Sequence, residues 1–70
     1  MRVTHITRGQ AGIQANTSAE LDEAVTLLIA AGYTVTDVED DPTEPWHVAT
    51  VHYTGGPQQI AAIKQIVNPA

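Results

Sequence analysis

Residues 20–54 constrain the fold more than any other part of the chain, because an apolar-striped helix, a glycine stop, a strand, an acidic turn and a second strand follow one another there. Thr17 followed by Glu20 fits a capping box, in which the hydroxyl accepts from an orphan backbone donor and the carboxylate reaches back. At about 100° per residue, Leu21, Ala24, Val25, Leu28, Ile29 and Ala31 share one broad face, and Asp22, Glu23, Thr26 and Ala30 share the other. Gly32 is placed to supply the left-handed residue that ends the helix. Tyr33–Val38 then reads as a strand. The segment Glu39–Pro45 holds two prolines and four carboxylates, which suit neither a ladder nor a core, so it reads as a turn. Trp46–Thr54 is the returning strand.

The flanks extend this pattern. Residues 2–7 (Arg-Val-Thr-His-Ile-Thr) are rich in β-branched side chains and bounded by Gly9, as a strand should be. Residues 8–16 admit two readings, a flexible loop or a short returning strand with its hairpin turn at Gly9–Gly12, and we expect a loop with room for a short strand. Gly55-Gly56-Pro57 breaks the strand before it, with Pro57 suited to the first position of a last helix. Ile60, Ile63, Ile66 and Val67 stripe that helix, and Asn68-Pro69 stops it. No internal repeat or low-complexity segment is visible. The order β-α-β-β-α implies a right-handed crossover whose gap the antiparallel third strand can fill. The expected architecture is α+β: a three-stranded, mostly antiparallel sheet of order 1-3-2, with both helices on one face. It resembles a ferredoxin-like fold lacking its last strand, an architectural likeness that implies no function.

At 70 residues and 7.5 kDa the chain is expected to form one domain. Area scaling gives about 10,900 Å² unfolded and about 4,200 Å² folded. Burial then contributes on the order of 100 kcal/mol, and ordering the chain costs about the same at ~1.5 kcal/mol per residue. With no cysteine to cross-link it, such a chain commonly gains stability by oligomerising or by docking on a partner. The net charge of −5, eight carboxylates against Arg2, Arg8 and Lys64, repels phosphate backbones and anionic lipid, so neither nucleic acid nor membrane is an expected partner. A basic protein is compatible with it. Residues 1–20 contain no apolar run, and Leu27–Ala31 is far too short to span a bilayer, which makes a cytoplasmic protein the expectation. The absence of Phe, the single Lys and the abundance of Ala, Thr, Val and Ile fit a high-GC gene, such as a bacterial, phage or mobile-element one.

Little here suggests catalysis. His47 and His52 are five apart on one strand and should face opposite ways. His5 and His52, on strands expected to be neighbours, make at most a two-ligand site. Asp37, Glu39, Asp40, Asp41 and Glu44 lack calcium-loop spacing. Arg8-Gly9-Gln10-Ala11-Gly12 suggests anion binding near a helix N-terminus but matches no phosphate-loop or dinucleotide fingerprint. The one serine, Ser18, has no histidine placed beside it by the pattern. We therefore expect no enzyme, no cofactor and no metal. The sheet face away from the helices is the remaining candidate. Along the returning strand either Trp46/Val48/Thr50/His52 or His47/Ala49/Val51/Tyr53 faces outward, and both sets are partly apolar. Trp46, Val48, Tyr33 and Tyr53 are the expected contact residues, with Asp40, Asp41 and Glu44 of the acidic turn orienting a partner. That partner is another protein or a second copy in a homodimer, and free sheet edges offer strand addition as a second route. The alternative is a small-ligand or metal module built from His5, His52 and the 8–16 loop.

Overall fold

The computed structural model describes residues 1–41 and 43–69. Its elements are β1 (Arg2–Thr7), β2 (Gln10–Ala15), α1 (Ser18–Ala30), β3 (Thr34–Glu39), β4 (His47–His52) and α2 (Gln58–Val67). Together they make a small α+β domain, an antiparallel sheet of four strands ordered β1-β2-β4-β3 with two helices. The turn between β3 and β4 falls where expected, although Pro42, one of its two prolines, lies outside the described residues.

The three-stranded sheet of order 1-3-2, and with it the likeness to a ferredoxin-like fold short of one strand, gives way to this arrangement. The difference is β2, in the segment expected to be mostly loop. Its sequence, Gln-Ala-Gly-Ile-Gln-Ala, has one β-branched residue, so intrinsic preference alone would not extend it. Pairing on both sides does: Arg2↔Gln14 to His5↔Ala11 against β1, and Gln10↔His52 to Ala15↔His47 against β4. The split crossover survives with a different first strand. β2 and β3 are both antiparallel to β4, which fills the gap between them. The topology reads alike from either edge: edge strand, central strand, helix, twice over.

Helix α1 begins and ends by local chemistry. Thr17 is extended (φ −137°), and its hydroxyl accepts from the Glu20 N–H at 3.1 Å. Gly32 takes φ +97°, and the N–H groups of Gly32 and Tyr33 bond the carbonyls of Ile29 and Leu28, each at 3.0 Å. This is a Schellman closure. Leu21, Ala24 and Leu28 are buried, while Ile29, expected on the same face, is 58% exposed, and Ala31 is exposed as well. Ile29 sits about 80–100° round the helix from Leu21 and Leu28, which puts it on the shoulder of the stripe. In α2, Ile63 is fully buried, and Pro57 occupies the capping position rather than the first helical one.

Both helices lie over one face of the sheet. Ala11, Ile13 and Ala15 of β2 and Ala49 and Val51 of β4 form one buried cluster with Leu21, Ala24 and Leu28 of α1 and Ile63 of α2. Helix α1 packs on β2, β3 and β4, and α2 on β1 and α1. Polar ties join the ends: the Tyr33 hydroxyl donates to Gln59 Oε1 at 2.7 Å, and Asn68 bonds both the Met1 amine (2.7 Å) and the Met1 carbonyl (2.9 Å). Each edge strand is irregular. β1 shifts register between His5 and Thr7, and β3 between Thr36 and Glu39, where Asp37 takes φ +53°.

Candidate functional site

The alternation along β4 decides which face is free. His47, Ala49 and Val51 are buried beneath the helices, so Val48, Thr50 and His52 turn outward. The outer face dips at its centre, where Gly12 has no side chain. A Cβ there would lie 3.1 Å from Thr4 Oγ1 and 3.4 Å from Ile6 Cδ1. The resulting shallow groove, about 260 Å³, runs from Thr4 and Ile6 past Gly12 and Gln14 to Val48, Thr50, Asp37 and Glu39. The β3 irregularity explains why two carboxylates reach it. Two residues of β3, Asp37 and Val38, stand between the Thr36↔Thr50 and Glu39↔Val48 pairs, where β4 has only Ala49.

A second hollow of about 370 Å³ opens at the end of this groove and is lined by Glu39, Asp41, Glu44 and Trp46. Glu39 lines both, so the two adjoin at that side chain. The Trp46 side chain immediately precedes β4 and is 48% exposed. Asp41 is held in place by its own turn: its Oδ1 accepts from the Thr43 N–H (2.9 Å) and hydroxyl (2.7 Å), and these bonds, the backbone one foremost, keep its carboxyl below the usual carboxylate range.

The expected contact residues divide. Trp46, Asp41 and Glu44 meet in the end hollow, and Val48 lies in the adjoining groove. Tyr33 and Tyr53 do not join them, since both line a separate cleft of about 430 Å³ with Gly32, His52 and Gln59. Asp40 turns inward. Its Oδ1 lies 3.4 Å from Nδ1 of the buried His47, a contact too poorly aligned to satisfy either atom. Hydrogen bonding from Asp22, then from Ser18, lowers the Asp40 pKa, and the same contact with Asp40 raises that of Asp22. The two carboxylates thus shift in opposite directions at the junction of α1 with the end of β3. The clefts around Trp46, Gly12, Tyr33 and Arg8 are lined by other residues than Ser18, Asp22, Asp40 and His47.

The histidines are dispersed. β2 separates the strands of His5 and His52, which the expected sheet had made neighbours. His52 Nε2 lies 2.6 Å from the Thr36 hydroxyl, while His5 lines a further cleft of about 510 Å³ with Arg8, Gly9, Tyr53, Gly55 and Gly56. Because residues 10–15 run away as a strand, Arg8 and Gly9 meet the segment entering α2 and not the start of α1. Among the described residues, no group of three or more His, Asp or Glu side chains could hold a metal ion. Nor, among the described residues, is any helix long and apolar enough to cross a membrane. Thr4, Ile6, Gly12 and Gln14 of the outer-face groove were not among the expected contact residues, nor were Asp37 and Glu39, whose placement depends on the register shift and so has no signature in residue pattern. Comparison with protein-family models found no match, nor did comparisons with curated proteins and with solved structures.

Proposed function

We propose that this chain is a non-enzymatic protein-interaction domain that works through its uncovered sheet face. The observation that supports this is the one-sided packing. Both helices lie on one face of the sheet, while the other carries a groove floored by Gly12 and ends at a half-exposed tryptophan. Tryptophan is over-represented among residues that dominate binding energy, and continuous exposed surface with apolar content marks contact sites. The occupant is another protein or a second copy of this chain acting as a homodimer, in keeping with a small accessory or inhibitory factor of the cytoplasm. The test compares wild type with Trp46→Ala, first by sedimentation and then by recovery of bound protein from the native cells. Wild type should self-associate or retain a specific protein, and the variant, folded by circular dichroism, should do neither. Unchanged assembly and retention in the variant would remove the reading.

A second reading rests on the cleft that brings Arg8 and His5 beside Gly9, Gly55 and Gly56, where a small anion would find one fixed positive charge and close backbone approach. Titration calorimetry with inorganic phosphate and common nucleotides tests it, and flat traces would end it.

A further inference from the structure

We propose that the occupant of the free face is an extended basic segment of a partner protein, with an arginine or lysine head seated in the Trp46 hollow and apolar side chains laid over Gly12 and Val48. This rests on the reading of that face as a protein-binding surface, and it names the chemistry the surface recognises.

Charge carries the argument. Asp37, Glu39, Asp41 and Glu44 line the adjoining groove and hollow, and no lysine or arginine lines either. The chain's cationic side chains other than histidine are Arg2, Arg8 and Lys64. Among the described residues the one close approach of a basic side chain to a carboxylate is that of His47 to Asp40, on the other face. The groove carboxylates are therefore offered outward without an internal counter-charge. A second copy brings the same −5 and adds carboxylates where cations are wanted.

The rest of the surface narrows the choice further. An indole face attracts a guanidinium or ammonium within about 6 Å, and arginine is the more frequent partner. Trp46 stands among three carboxylates, so one cation can satisfy ring and charge together. Next to it, the groove is lined by Ile6, Val48 and the threonine side chains around a missing Cβ, a seat for aliphatic groups rather than for more charge. The irregular registers of β1 and β3 leave neither edge flat enough to template an added strand, so a segment binds on the face.

Trp46 is the chain's single tryptophan, so its emission reads the hollow directly. The probe is a capped twelve-residue peptide alternating arginine and valine, set against one alternating glutamate and valine. The basic peptide should shift Trp46 emission saturably and more weakly as salt rises, while the acidic one leaves it unchanged. Glu39→Gln/Glu44→Gln should weaken binding about tenfold, at a few-fold per exposed carboxylate. Glu20→Gln/Glu23→Gln, an equal charge change on α1, should leave it unaltered. Silence towards the basic peptide, or equal weakening by both double variants, would overturn the proposal. Sedimentation of the same samples separates the two levels of failure. A dimer that buries Trp46 would make the occupant a second copy and leave the interaction reading standing, whereas a peptide-silent monomer whose Trp46→Ala variant retains the same cellular proteins would remove both.

Discussion

At the scale of single residues, the group most open to test is Asp22 with Asp40. Asp22 holds its proton more tightly folded than unfolded, so its contribution to stability is present at acid pH and is lost as pH rises through its raised folded pKa. Asp40 and Asp41 have lowered pKa values, so theirs are present above the unfolded value near 3.8 and are lost as pH falls through the folded ones. Asp22→Asn keeps a hydrogen-bond donor facing Asp40 and removes the titration. Urea denaturation should find the variant more stable than wild type at pH 7, with the gap closing towards pH 4; a variant less stable at pH 7 than at pH 4, relative to wild type, would contradict the raised pKa of Asp22. Gly32 gives a simpler case. No heavy atom would lie within 4 Å of a Cβ there, so Gly32→Ala meets only the strain of φ +97° and should lower stability by about 1 kcal/mol in the same assay. Trp46, Asp41 and Glu44 were legible as candidates from residue type and sequence neighbourhood alone. Glu39 was not, because its direction follows from a register shift that no single residue announces.

At the scale of elements, the helices carry the fold's stability through few side chains. Ile63→Ala leaves a hole where α2 meets the sheet, and Leu28→Ala one beneath α1; each should cost about 3 kcal/mol in chemical denaturation. Thr17→Ala removes the hydroxyl that starts α1 and should cost about 1 kcal/mol. Helix α1 was readable because its start, stripe and stop are local chemistry, encoded within Thr17–Gly32. Ile29 marks the limit of that reading, since an apolar residue on the shoulder of the stripe is covered only if a neighbouring element reaches that far round. β2 was the hard element. Its Ala11, Ile13 and Ala15 do alternate with Gln10, Gly12 and Gln14, and this period of two was the available signal. Alanine, glycine and glutamine are weak strand formers, however, so the extended state is set by the ladders on either side and only the assembled sheet reveals it.

At the scale of the whole molecule, the chain is two strand-strand-helix halves interlocked by their helices. Helix α1, made by the first half, packs on β3 and β4 of the second, and α2 packs on β1 of the first. Neither half can cover its own hairpin well. Peptides 1–32 and 33–70 should therefore each be largely unstructured by circular dichroism and should regain helical signal when mixed; a first half that folds alone would show the interlock to be dispensable. The same exchange has a kinetic side. The β1-β2 and β3-β4 ladders join strands that are neighbours in sequence, and each can zip locally within microseconds. β2 against β4 is the one ladder between distant segments, and it brings both helices over the core at once. The slow step of folding is then expected to be the joining of the two halves along this ladder, and its rate should answer to side chains at that central seam, Ile13 and Ala49 above all, more than to any change at the sheet's edges.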